Sequence, residues 1–358
     1  MTKKNQKQVL NRRKFLQGAG GVALGAAGLP YIMSCSGTGK TQTVATWTKL
    51  KSSKPMRLDS HTHIFYAKNQ AYRPWNWDVI ECMREHVAEQ GVTHFVALMR
   101  DKEFEKYAYR LDHECGARCI PFHWINVGKA QPDWPELPET FSLTGTAAGI
   151  KIHPRQTKSK DGSFFRATEE TVGKVCDEAE KVGKPVLFHT DADEPNPCSV
   201  PRLAVLAINH PDTNFIAAHL GVYGQEYYIK EYTPQEYAKI AEAAMKENLQ
   251  LFLDTKNLYG DTAIFGGCFP ARSPDLDFRS KLLARTVGTF SAAARKTLIG
   301  KLFIGTDYPC FYVADNPRSK YPYQVERMRA IFKEDFDETQ MALNFISLLP
   351  EEFARKYL

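Results

Sequence analysis

From residue 56 onward, short apolar runs alternate with segments whose apolar positions recur every three or four residues. Runs of the first kind are rich in β-branched and aromatic residues, stop at Gly, Pro or Asp, and predict strands. They fall at Arg57–Phe65, Thr93–Met99, Arg118–Asn126, Ala148–His153, Pro185–His189, Asn214–His219, Gln250–Asp254 and Leu302–Asp307. The segments between them read as amphipathic helices with legible ends. Thr168 precedes Glu169 and Glu170; Val172, Val175, Cys176, Ala179 and Val182 then share one face, and Gly183 and Pro185 stop the run. Thr233-Pro234-Gln235-Glu236 reads as a capping box with proline at the first helical position.

Eight βα units in succession predict an α/β protein built as one (β/α)8 TIM barrel over residues 56–358. The competing α/β solution, an open doubly wound sheet, lacks its Gly-rich dinucleotide fingerprint after the first strand. Link lengths favour the barrel. Helix-to-strand links such as Gly91-Val92, Gly183-Lys184 and Pro211-Asp212-Thr213 are short. Strand-to-helix links at 154–167, 220–232, 255–279 and 308–320 are long. Long loops on one face predict a site at the carboxyl ends of the strands.

Charge separates the N-terminus from the rest. Residues 1–34 carry six basic groups (Lys3, Lys4, Lys7, Arg12, Arg13, Lys14) and no acid. Removing those six from the 47 basic residues leaves 41, equal to the 41 acidic ones, so the main body has no net basic footprint for nucleic acid. Asn11-Arg12-Arg13-Lys14-Phe15-Leu16, followed by an uncharged Gly/Ala-rich stretch from Gly18 to Met33, resembles a twin-arginine export signal. We therefore expect 1–35 to be a signal peptide and 36–55 a polar linker. The export machinery is then a partner, and the protein is expected to be exported. Ile32-Met33-Ser34-Cys35 resembles a lipoprotein box, although Met33 is bulky for its position. Two outcomes stay open: a periplasmic protein cleaved nearby, or a membrane-anchored lipoprotein acylated at Cys35. Gly37–Thr41 is no P-loop, because Ser34 stands where the first glycine belongs. The other seven cysteines fit no zinc-finger spacing and read as scattered buried thiols; His113, Cys115 and Cys119 make a poor metal cluster.

The candidate chemistry lies in the residues that end the strands. Asp59-Ser60-His61-Thr62-His63 alternates with period two, which sends both imidazoles to one face. Strand five ends at His189, strand six at His219 and strand eight at Asp307. Zinc and similar divalent ions take neutral imidazole nitrogens and a carboxylate oxygen while leaving one position for water. His61, His63, His189 and Asp307 supply such a set. His86, His94, His113, His123 and His210 fall on helices, strand starts or loops and read as structural.

Five elements in barrel order then carry a family resemblance: Asp59–His63, Gly149-Ile150-Lys151-Ile152-His153-Pro154, Pro185–His189, Ala218-His219-Leu220-Gly221 and Gly305-Thr306-Asp307-Tyr308-Pro309. Over residues 57–310 the chain resembles the amidohydrolase superfamily. Within it, the nearest likeness is to the amidohydrolase-related branch that includes aminocarboxymuconate-semialdehyde decarboxylase and pyrone-dicarboxylate lactonase. The resemblance implies one divalent metal, zinc in the first instance, on His61, His63, His189 and Asp307. It implies that His219 lies beside the metal, orienting water or polarising substrate, and that Asp307 moves the proton. Leu343 to Phe353 lacks the Gly-rich turn usual before the family's last helix, which leaves the closing helices open.

Lys151 shares a strand face with His153, and Arg155 follows. Either these three grip a small anionic substrate, or Lys151 is carbamylated and bridges a second metal as in binuclear members of the superfamily. The expected activity is hydrolysis of an ester, lactone or amide through a metal-activated water. Metal-dependent decarboxylation uses the same ligands and is the alternative. A non-catalytic, surface-anchored binding barrel is a further class, as is a carbohydrate platform of Trp75, Trp77, Trp124 and Trp134. The intact ligand set argues against the former, and the usual fate of aromatics in cores against the latter.

Overall fold

The computed structural model describes residues 55–64, 78–125, 146–153, 157–158, 164–165, 169–192, 199–222, 233–263, 277–310 and 320–358. The expected signal peptide with Cys35, the linker up to residue 54, Arg155, and Trp75, Trp77 and Trp134 lie outside them.

Eight parallel strands follow one another around the sheet: β1 (Leu58–Ile64), β2 (His94–Met99), β3 (Arg118–Ile125), β4 (Gly149–Ile152), β5 (Val186–Phe188), β6 (Phe215–Ala217), β7 (Leu258–Asp261) and β8 (Leu302–Phe303). The segment after β8 returns to β1 and closes the barrel. Ser60 N donates to Ile304 O (2.8 Å), Asp307 N to His61 O (2.8 Å) and His63 N to Tyr308 O (2.6 Å). The barrel expectation therefore holds. A two-stranded ribbon, Thr157–Lys158 with Phe164–Phe165, stands apart from it.

Ten α-helices accompany the strands among the described residues: α1 (Val79–Gln90), α2 (Asp101–Glu114), α3 (Glu169–Lys181), α4 (Val200–Asn209), α5 (Pro234–Asp254), α6 (Phe278–Gly288), α7 (Ala292–Ile299), α8 (Tyr321–Phe332), α9 (Glu338–Ile346) and α10 (Glu351–Tyr357). No helix among those residues is long and apolar enough to cross a membrane. The α5 capping box forms as read: Thr233 Oγ1 accepts from Glu236 N, and Glu236 accepts from Thr233 N.

One strand needs correction. Gln250–Asp254 is the last turn of α5, and the seventh strand lies downstream at Leu258–Asp261. Ala241, Ala244, Met245, Asn248, Leu249 and Phe252 are buried at helical spacing, so the apolar stripe runs unbroken to residue 252. Leu251 and Leu253 look strand-like in sequence but belong to that helix and are only partly buried.

The barrel interior divides along its axis. Toward the N-terminal ends of the strands it is filled by Leu58, Val96, Ile120, Phe122, Leu187 and Phe303. The closing helices α9 and α10 plug that end with Leu343, Phe345, Ile346 and Phe353. The Phe345 ring lies 5.1 Å from that of Phe303, edge to face, and 6.0 Å from that of Phe122. Gly149 is required here, because a Cβ would come within 2.4 Å of the Phe122 ring. Arg118 Nη2, Asn214 Nδ2 and His94 Nε2 reach carbonyls of Lys356, Leu348 and Tyr357, fastening the plug to the strand starts.

Candidate metal centre

Beyond the apolar layer the same strands turn polar. The register of β1 against β2 shifts between Asp59 and Thr62; His61 lies within that irregular stretch and His63 just beyond it. His61 Nε2 is 3.2 Å from His63 Nε2. Asp307 Oδ1 lies 2.8 Å from His63 Nε2 and 3.4 Å from His61 Nε2. All three side chains are buried, and their donor atoms lie within 4.8 Å of one another. Three of the four expected ligands therefore meet at one point.

His189, the fourth expected ligand, is not in that group and instead adjoins His219. Its Nδ1 is 3.1 Å from His219 Nε2, and the two rings meet edge to face at 4.9 Å. His219 in turn lies 5.1 Å, ring to ring, from His61. His153 stacks on His189 at 4.0 Å, and the Trp124 ring lies 5.9 Å from that of His153 and 5.1 Å from that of His63. Trp124 is thus a buried wall of the centre. Lys151 is fully buried, with Nζ 3.4 Å from His61 Nε2, so it sits at the ligand cluster rather than out in the mouth.

Asp261, which the misplaced seventh strand hid, is the main residue that sequence reasoning missed. Its Oδ2 accepts from His61 Nδ1 at 2.8 Å, and its Oδ1 accepts from His219 N (2.8 Å) and Ala263 N (3.1 Å). A hydrogen bond from Nδ1 to a carboxylate leaves Nε2 of a neutral imidazole with its lone pair. That lone pair faces His63 Nε2 and Asp307 Oδ1. Asp261 also completes a second buried group with His61 and His219. The signal that exposes it is the pattern of the other strands: a polar ligating residue just past an apolar run, here Leu258-Tyr259-Gly260-Asp261.

The donor chemistry fits a divalent cation. Burial, reinforced by the Lys151 ammonium, pulls the His61 imidazole well below its ordinary pKa; burial does the same to His63 and His219. Neutral imidazole is the form that binds metal. Burial pushes the Asp307 and Asp261 carboxyls up, against the pull of Lys151, so buried negative charge here calls for a compensating cation. Asp307 Oδ1 accepts no aligned hydrogen bond among the described residues, although two imidazole nitrogens crowd it. Two imidazole nitrogens and a carboxylate oxygen within 4.8 Å of one another in a buried site form a donor set that suits a metal ion.

The backbone is strained where these groups are delivered. Asp307 (φ 59°), His219 (φ 62°) and Leu220 (φ 50°) adopt the left-handed conformation, which costs a non-glycine residue about 1–3 kcal/mol. Asp307 is held by its N–H on His61 O, and His219 by its N–H on Asp261.

No protein-family profile and no curated protein sequence matches the chain. Solved structures do. An amidohydrolase from Burkholderia multivorans with bound zinc superposes with a TM-score of 0.51 at 12% identity, over 84% of this chain and 99% of that one. The same organism's amidohydrolase solved with bound HEPES gives 0.52 at 12% identity, with the same coverage. The chain shares the barrel fold of these two structures. The barrel fold read from the sequence is thereby matched by solved structures.

Proposed function

We propose that this protein is a metal-dependent hydrolase of the amidohydrolase type, cleaving an ester, lactone or amide bond in a small anionic substrate. The observation that carries the proposal is the convergence of His61 Nε2, His63 Nε2 and Asp307 Oδ1 at a buried point facing the barrel mouth. Those residues would hold one divalent ion, with His189 and His219 adjoining. Zinc is the first candidate, supported by the zinc bound in the Burkholderia amidohydrolase. The ion supplies Lewis acidity, which acidifies water and polarises a carbonyl.

The protein's own groups do the rest. Asp307 accepts a proton from the attacking water and returns it to the leaving group. His219, held by Asp261 and paired with His189, orients the water or the substrate carbonyl. Asp261 keeps His61 in the tautomer that ligates. His153 stacks on His189, and with Arg155, which follows it in sequence outside the described residues, it is proposed to grip an anionic substrate. Lys151 acts at the ligand cluster, either as an ammonium facing substrate oxygen or, carbamylated, as the bridge to a second ion. One metal equivalent per chain supports the former; two support the latter. The Arg12-Arg13 motif supports export of the folded protein by the twin-arginine machinery, ending in the periplasm or on a membrane through Cys35.

The test is turnover of metal-loaded protein on a panel of esters, lactones, amides and carboxylates. Hydrolysis is expected to fall about 10²–10⁴-fold in Asp307→Asn, the range for losing general acid–base catalysis, with part of the metal retained. Carbon dioxide release from a carboxylate, with no hydrolysis of any panel member, would replace this reading by decarboxylation.

A further inference from the structure

Behind the metal centre lies a second buried polar unit with no donor atom in the ligand cluster. Asp59 is completely buried, and each of its oxygens receives two donors. Oδ1 accepts from Thr306 N (2.9 Å) and His61 N (3.2 Å). Oδ2 accepts from Thr306 Oγ1 (2.6 Å) and from His86 Nε2 (3.1 Å). One carboxylate thus ties the strand that carries His61 to the residue immediately before Asp307. His86 comes from the middle of α1 and touches the same junction twice. Besides its bond to Asp59, its ring stacks on Tyr308, the residue immediately after Asp307, at 4.0 Å and 28°. The Tyr308 carbonyl is the acceptor of His63 N.

We propose that His86, acting through Asp59 and Tyr308, is the positioning residue of the metal centre. It fixes His61, His63 and Asp307 relative to one another from outside the barrel wall. This inference rests on the metal-centre reading above. The physical argument is one of constraint. Asp307 sits in a left-handed backbone that the chain does not favour. The residues on both sides of it, Thr306 and Tyr308, are the ones that Asp59 and His86 hold. A helix that packs on the strands for apolar reasons, through Ile80, Met83 and Val87, thereby also sets a distance between ligands on two strands. His86 Nδ1 makes no hydrogen bond among the described residues. The working parts are therefore the Nε2–H donor and the ring face.

Those parts separate by substitution. His86→Gln offers an N–H donor to Asp59 without the ring; His86→Phe keeps a ring on Tyr308 without the donor; His86→Ala removes both. The readouts are zinc affinity, by competition with a chromophoric chelator, and the visible absorption of the cobalt(II)-loaded protein, which reports ligand geometry. Thermal unfolding of the metal-free forms is measured alongside. Outer-shell losses typically weaken metal binding 10–100-fold. We expect His86→Ala to lose at least tenfold in zinc affinity with an altered cobalt spectrum, and His86→Gln to recover most of both. Should His86→Ala not fold, the comparison of His86→Gln with His86→Phe decides: Gln binding more tightly supports the donor as the positioning element. Wild-type affinity and spectrum in both His86→Gln and His86→Phe, or in His86→Ala, overturn the proposal while leaving the metal centre intact. A wild-type protein that binds no zinc or cobalt overturns the metal-centre reading itself.

Discussion

The two ends of the barrel are built from the same strands and obey opposite rules. On β1, Leu58 lies at one end and His61 and His63 at the other. Ala148, just before β4, is followed on that strand by Lys151, and Phe303 on β8 is followed beyond it by Asp307. At the N-terminal end the interior is apolar and closed by α9 and α10. At the C-terminal end five imidazoles (His61, His63, His153, His189 and His219), the Asp261 and Asp307 carboxylates and the Lys151 ammonium are buried together, and Asp307 and His219 occupy disfavoured backbone conformations. The first end is stabilising by the ordinary burial of hydrocarbon. The second costs stability, because each buried polar group must be compensated. Stability and chemistry are thus separated along one axis, and substitutions at the two ends should have separable effects.

The largest effect is expected in the plug. Phe345→Ala removes a buried ring set against Phe122 and Phe303, and should cost about 3–5 kcal/mol in denaturant unfolding. Zinc affinity should stay unchanged; a variant that loses metal binding as well would show that the ends are not independent.

The next effect concerns pH. Burial lowers the His94 pKa to about 4, while the unfolded chain keeps the ordinary value near 6.5. Between those values the unfolded state binds the proton and the folded state does not. His94 therefore favours folding fully above pH 6.5, and that contribution is lost as pH falls toward 4. The whole loss is about 3 kcal/mol at most. It should show as a stability slope that His94→Gln flattens. Since His94 bonds the Tyr357 carbonyl in the plug, a metal affinity that followed His94 would contradict the separation.

At the other end, Asp261→Asn should weaken zinc binding about 10–100-fold, because the tautomer of His61 is no longer imposed, and should change thermal unfolding of the metal-free protein far less than Phe345→Ala. The smallest effect belongs to the exposed cap of α5. Thr233→Ala should cost about 1 kcal/mol of stability and leave metal binding alone, which calibrates what a purely local loss looks like.

Legibility followed how local each signal was. His61 and His63 were readable because two-residue alternation is a property of the strand itself, and His189, His219 and Asp307 because each closes an apolar run. The capping box at Thr233 is likewise local. The seventh strand was not readable from its composition: Leu258-Tyr259-Gly260-Asp261 is short and carries a glycine, while the neighbouring Leu251-Phe252-Leu253 is richer in apolar residues but belongs to a helix. Asp261 was lost with it. The role of His86 was also out of reach, because its partners Asp59 and Tyr308 meet it only in the folded barrel. The place of the closing helices as a plug follows from long-range packing that sequence spacing does not encode.

The account turns on one cation held by residues from both edges of the closed barrel. Elemental analysis of the purified protein, followed by zinc titration of wild type and of His63→Ala, tests it most directly. Wild type should carry at least one zinc-class ion per chain, and His63→Ala should lose it while keeping its circular dichroism and an unfolding transition. A folded wild type that takes up no divalent ion, or a His63→Ala protein that binds zinc as wild type does, would contradict the account.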